Sequence, residues 1–261
     1  MKDYVIKTLN KGIAELCLNR PERYNAFDQP RIEALADLLT KLAKDPNVKV
    51  IIIRGSGKAF CAGGDLEWVK NHPDGYSSAF HSMAMKYHQA VLEIKNMSKP
   101  VIAAINGVAA GGGFSLAMAC DFRIMAQNTS LKQGYTSAGL SIDGGGSFTL
   151  PRLVGMAKAL EIMAFDVPIS SKQALDWGLV TKVVEDNKVL PEAREMAGVL
   201  MARSSSSFKL SKRLFNKTFN SSFEEQIEEE RRFLAESANH RDAIEGLAAF
   251  VEKRKPSFSE V

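Results

Sequence analysis

Val101-Ile102-Ala103-Ala104-Ile105-Asn106-Gly107-Val108-Ala109-Ala110-Gly111-Gly112-Gly113-Phe114-Ser115-Leu116-Ala117-Met118-Ala119 is the stretch that decides the fold. Val101 to Ile105 carry no polar alternation, the pattern of a strand buried on both faces. The chain then passes through small residues into a glycine triplet, and Phe114 to Ala119 reads as a helix starting there. N–H groups at a helix start are unpaired within the helix and carry partial positive charge. With no side chains around them they can approach a ligand closely.

The same arrangement occurs once upstream. Val48 to Ile53 is a β-branched run, hence a buried strand, and a loop from Gly55 to Gly64 follows, including Lys58-Ala59-Phe60-Cys61-Ala62-Gly63-Gly64-Asp65-Leu66. Neither loop has the GxGxxG spacing of a dinucleotide fold or the Lys-Ser/Thr ending of a phosphate-binding loop. Converging on one point, the two loops would form an oxyanion hole; each alone reads equally well as a tight packing turn.

Further out, Tyr4 to Leu9 and Ile13 to Leu18 alternate around Asn10-Lys11-Gly12 and predict a hairpin. Asp28 is placed to cap a helix with apolar positions Ile32, Leu35, Leu39 and Leu42. A long helix is expected over Tyr76 to Ile94, a third strand over Phe122 to Ala126, and a helix over Ser147 to Leu153. From Leu190 onward strand signals vanish and amphipathic helices take over, including Phe223 to Ser237 and Ala243 to Lys253. The reading is an α/β protein with a core over 1–195 and a helical region over 196–261.

Bulk properties narrow the function. A net charge of +4, with basic residues scattered among acids, is no nucleic-acid footprint, although it favours a small anionic ligand. Cys17, Cys61 and Cys120 have no metal-ligand spacing and suit a reduced, cytoplasmic setting. The longest apolar run is too short to span a membrane, and the start of the sequence has no signal-peptide pattern.

Five separated matches, in order, make the sequence similar to the crotonase, or enoyl-CoA hydratase/isomerase, superfamily. They are Asn19-Arg20-Pro21-Glu22-Arg23-Tyr24-Asn25-Ala26, the Ala59 to Leu66 loop, Lys99 to Asp121, Ser171 to Val184, and Phe250-Val251-Glu252-Lys253-Arg254-Lys255. The resemblance implies a spiral of ββα turns followed by a helical trimerisation region, assembled as a homotrimer or a dimer of trimers. It implies an acyl-CoA thioester substrate, with CoA part of the substrate and no metal or other cofactor. Carried over by position, the oxyanion donors are the N–H groups of Gly64 and Gly112. Ala62, Asp65 and Leu66 fall near the adenine and pantetheine, Arg23 and Ala26 near the adenosine end. Phe250 and Lys253 are expected to reach the CoA bound by a neighbouring subunit.

The sequence departs from the family's hydratases at the two places where those enzymes use glutamates. Here they are Ser115 and Tyr135, and neither can act as a carboxylate base. One acid remains nearby, Asp143, in Gly139-Leu140-Ser141-Ile142-Asp143-Gly144-Gly145-Gly146. The arrangement resembles that of the dienoyl-CoA isomerases and of the ring-expanding isomerase of phenylacetate breakdown, where an aspartate at this place transfers the proton. The leading expectation is therefore an enoyl-CoA isomerase with Asp143 as base; otherwise Asp143 caps the following helix.

Two alternatives stay open. One is aryl-CoA hydrolysis resembling the 4-chlorobenzoyl-CoA dehalogenases, with Asp143 as nucleophile and His88 as base; a buried, structural His88 is the plainer reading. The other is an acyl-CoA-binding relative without turnover. Trp68, Tyr76, Phe80, Met83 and Tyr87 are expected in the pocket wall, Tyr135 and His88 are accessory candidates, and His72, His81 and His240 have no evident role. Cys61 reads as a small filler.

Overall fold

The computed structural model describes residues 4–258. The start of the sequence, Met1 to Asp3, which leads directly into the first expected strand, lies outside the described residues. The hairpin is present as Val5–Asn10 and Ile13–Leu18, paired antiparallel with Asn10 opposite Ile13. It forms one end of a six-stranded sheet that continues in parallel through Val50–Gly55, Val101–Ile105, Phe122–Ala126 and Lys182–Val184.

The two strands read as buried runs are buried on both faces. Ile51 and Ile53 face a core shared with the Gln29–Lys44 and Gly75–Asn96 helices. Val50, Ile52, Ile102 and Ala104 face the other way, onto Val189, Ala193 and Ala197 of the Val189–Met201 helix. A strand covered on both sides has no position for a polar residue, so the period-2 alternation is lost.

A second sheet runs Ala59–Cys61, Val108–Ala110, Ser130–Lys132 and Ile169–Ser170. Three times a strand of the large sheet is followed by a strand of the small one and then by helix. This is the predicted spiral of ββα turns. The small strands hide inside what reads as glycine loop, because two or three residues are too few to show a period.

The Gln29–Lys44 helix starts at Asp28, whose carboxylate accepts from the Arg31 N–H at 3.2 Å. The Gly112–Ala119 and Gly146–Val154 helices start at the glycine turns. The C-terminal part is helical, over Ser205–Lys217, Phe223–Ala238 and Arg241–Val251. Residue 195, the sequence-based division point, falls inside the Val189–Met201 helix, whose small apolar face fills the core under the large sheet. Among the described residues no helix is long and apolar enough to cross a membrane.

The Ser205–Lys217 helix is tied to the core by Lys212. Its ammonium donates to Asp121 at 2.7 Å and to the Ile94 carbonyl at 2.8 Å, and the same Asp121 oxygen accepts from the Val101 N–H at 2.9 Å. Both side chains are largely buried, so removing one partner leaves an uncompensated charge. Lys212→Met is expected to destabilise the protein by about 3–5 kcal/mol, read as a lower urea midpoint with unchanged slope.

Candidate active site

The segment from Arg20 to Asp28 builds the first loop. Asn25 is fully enclosed, with a left-handed backbone at φ +57°. Its amide nitrogen donates to the carbonyls of Ser56 and Ala59 at 2.9 Å and of Phe60 at 3.2 Å, and its oxygen accepts from the Arg20 N–H. Phe27 brackets Gly64: the Phe27 N–H donates to the Gly63 carbonyl, and the Phe27 carbonyl accepts from the Asp65 N–H, both at 2.7 Å. Asp65 accepts from the Glu67 and Trp68 N–H groups, capping the short Leu66–Lys70 helix, and pairs with Arg20 at 2.7 Å. These donors outweigh the desolvation that opposes them and hold the Asp65 carboxyl below the usual carboxylate range.

The second loop presses onto the first with backbone against backbone. A Cβ at Gly113 would collide with the Cys61 carbonyl, and one at Gly63 would lie 2.8 Å from the Ala110 oxygen and 2.9 Å from the Gly112 nitrogen. Only glycine permits that approach. The N–H groups of Gly64 and Gly112 then have no protein acceptor among the described residues, and both residues line one cavity. Two of the sequence-predicted groups thus meet as expected.

That cavity, about 330 Å³, is walled mainly by apolar groups, with Phe27, Phe80, Met83 and Tyr87 on one side and Leu140, Ile142 and Asp143 on the other. Asp143 is the only carboxylate lining it among the described residues. Its Oδ1 lies 2.6 Å from His88 Nε2; Oδ2 has no protein hydrogen bond among the described residues. The capping alternative is not what the structure shows: Gly145 occupies the cap position of the Gly146–Val154 helix, and no side chain caps it. His88 is not buried, its side chain being 49% exposed.

Ser115 and Tyr135 sit against the Asp143 turn. The Ser115 hydroxyl, fully buried, donates to the Asp143 carbonyl at 2.7 Å and lies 3.3 Å from the Tyr135 hydroxyl. Burial pushes the Tyr135 phenol well above its ordinary value, with bonds to Ser115 and Asp143 only partly offsetting it. Cys61 is enclosed, and burial pushes its thiol up to about 12, as suits a filler rather than a nucleophile.

The residues expected near the CoA lie on or beside the first loop. Arg23 pairs with Glu67 at 2.6 Å, the Ala62 N–H donates to the Tyr24 carbonyl, Ala26 is buried, and Leu66 is exposed. Phe250 and Lys253 lie at the end of the Arg241–Val251 helix, where both are exposed, and neither lines the cavity. Two expected wall residues are also absent from it. Trp68 packs edge-on against His72, and Tyr76 points to solvent at 62% exposure. His81 does line the cavity, together with Ala84, and was missed. Helical spacing puts His81 and Ala84 on one face of the helix that carries Tyr87 but does not show that this face meets the cavity.

Two unpaired N–H groups and one carboxylate around an apolar cavity, at the junction of two ββα turns, define the class of crotonase-type acyl-CoA enzymes. The chain belongs to the enoyl-CoA hydratase/isomerase family, whose model matches residues 8–261. It is 32% identical to the 1,2-epoxyphenylacetyl-CoA isomerase of Escherichia coli, over 99% of both chains. It is 35% identical to the crotonyl-CoA hydratase of Syntrophomonas wolfei, over 97% of both. Its fold superposes on an enoyl-CoA hydratase structure from a Polaromonas species with a TM-score of 0.90 and 34% identity, covering 98% of this chain and 99% of that one.

The Asn25 clamp yields a direct expectation. Asn25→Ala removes a donor from three loop carbonyls, of which that of Ala59 keeps a 3.3 Å bond from Asn106, and it keeps a strained backbone, costing about 1–3 kcal/mol for each buried group left unpaired. Thermal unfolding should show a large drop in Tm, and a Tm within a degree of wild type would mean the clamp is dispensable.

Proposed function

We propose that the protein is an enoyl-CoA isomerase that moves a double bond by proton transfer through Asp143. The observation that carries this reading is that Asp143 is, among the described residues, the one carboxylate in a cavity also lined by Gly64 and Gly112. The thioester oxygen of the substrate sits between the two N–H groups. Asp143 takes a proton from carbon, the electron pair delocalises onto the thioester oxygen as an enolate, and the N–H pair stabilises that charge. Asp143 then returns the proton to a different carbon. No water is added, so one base suffices, and neither Ser115 nor Tyr135 is needed to hold a nucleophilic water. The chemistry calls on no group beyond the acyl-CoA and the protein itself.

The His88–Asp143 contact supports a second reading, aryl-CoA hydrolysis with Asp143 as nucleophile and His88 as base. His88 is not among the cavity-lining residues, which favours isomerisation. Halide release from 4-chlorobenzoyl-CoA, with a covalent aryl-ester adduct on Asp143 formed as the carbon–chlorine bond breaks, would reverse that preference. In the proposed assembly the C-terminal helices form a trimer or a pair of trimers. Supporting this, Phe215, Phe219, Phe223, Leu234, Leu247 and Phe250 are all exposed on them. Phe250 and Lys253 then reach the CoA of a neighbouring copy.

Two outcomes follow. Asp143→Asn keeps the shape of the side chain but cannot accept a proton from carbon, so isomerisation should fall roughly 10²–10⁴-fold while acyl-CoA affinity changes only a few-fold. Stopped-flow absorbance at the conjugated thioester band measures the first, and calorimetric titration the second. A variant retaining more than about a tenth of the rate places the base elsewhere. Light scattering at micromolar concentration should return three or six copies, and a stable monomer would remove the proposed role of Phe250 and Lys253.

A further inference from the structure

The proposed reaction needs the oxyanion donors and the base at a fixed separation, and they belong to different loops. One turn of the Gly75–Asn96 helix touches both. The Tyr87 hydroxyl donates to the carbonyl of Gly112, the residue whose N–H is the second donor. The Tyr87 ring occupies the space a Cβ at Gly144 would need, and Gly144, at φ +63°, directly follows Asp143. The next residue, His88, holds Asp143 Oδ1 at 2.6 Å. Tyr87 is buried at 3% exposure and packs against Phe27, whose backbone brackets Gly64, with ring centroids 5.7 Å apart.

We propose that Tyr87 is a positioning residue that sets the spacing between the Gly112 donor and the Asp143 base. It does so through a hydrogen bond to Gly112 on one side and ring contact with the Gly144 turn on the other. The proposal rests on the isomerase reading only for its second half; the Gly112 half needs no base. Burial pushes the Tyr87 phenol well above its ordinary value, so it remains a donor throughout the neutral pH range. Spacing matters at this scale because a misplacement of about 1 Å can cost roughly 10²-fold in rate.

Two variants separate the two halves. Tyr87→Phe removes the hydroxyl and keeps the ring; Tyr87→Leu removes both. The first readout is the absorbance shift of a bound cinnamoyl-CoA thioester, which reports polarisation of its carbonyl and requires no turnover. The second is kcat and KM for isomerisation of a 3-enoyl-CoA, with circular dichroism confirming the fold. Tyr87→Phe should lose most of the absorbance shift and drop kcat about 10-fold or more, with KM within a few-fold. Tyr87→Leu should lower kcat further, because the base turn is no longer held off by the ring.

A Tyr87→Phe protein with wild-type shift and kcat overturns the Gly112 half, as does a wild type that shows no shift at all. Equal kcat in the two variants overturns the ring-spacing half. If the wild type isomerises no thioester, the base assignment and the spacing half fail together, while loss of the shift in Tyr87→Phe still establishes the Gly112 half.

Discussion

Everything at the site depends on two glycine loops meeting backbone to backbone. At Gly113 the Cys61 carbonyl stands where a side chain would begin, and at Gly63 the Ala110 oxygen would lie 2.8 Å from one. Peptide groups this tightly packed would normally pair with one another. Here the pairing is taken up by Phe27, Asn25 and Lys132, and the N–H groups of Gly64 and Gly112 are left over. Unpaired, partly enclosed donors are costly and uncommon in folded proteins. In the proposed reading, these two donors lining one cavity receive the substrate's acceptor oxygen. The ββα repeat supplies the geometry, since each loop leaves a strand of the large sheet, crosses the small sheet and enters a helix.

In the proposed reading, holding a thioester oxygen is common to many reactions, so the rest of the cavity lining would select the chemistry. By resemblance, the family's hydratases carry glutamates where this chain has Ser115 and Tyr135. In this protein the Ser115 hydroxyl is spent on the Asp143 carbonyl, and Tyr135 lies beside it, too strongly desolvated to ionise. The two positions thus buttress the turn that carries the carboxylate. His88 adds a bond from the solvent side, and the cavity between is lined by aromatic and aliphatic groups. A single carboxylate, among the described residues, in a mainly apolar cavity suits the proposed transfer of a proton along a bound chain better than the capture of water by a carboxylate pair.

Sequence patterns made the large elements legible. Val101–Ile105 falls where an unbroken apolar run places it, Phe122–Ala126 forms the expected third strand, and Asp28 caps its helix as its position implies. The strands of the small sheet were not legible, because three residues such as Val108–Ala110 show no period and take their order from neighbours distant in sequence. The two glycine loops could be found because small residues after a buried strand are a local signal, whereas the choice of Gly64 and Gly112 within them came from the family resemblance. The Tyr87 bond to Gly112 and the His88 contact with Asp143 are tertiary, spanning 25 and 55 residues, and nothing local announces them. His88 was misread as buried, and His81 passed over, because helical spacing shows which residues share a face but not what that face meets.

The most direct test of the account is product mass. Purified protein would be incubated with a trans-3-enoyl-CoA in ¹⁸O-labelled water and the product examined by mass spectrometry and thioester absorbance. The account predicts a conjugated 2-enoyl-CoA of unchanged mass and without ¹⁸O. A 3-hydroxyacyl-CoA, heavier by one labelled water and formed at a comparable rate, would contradict it.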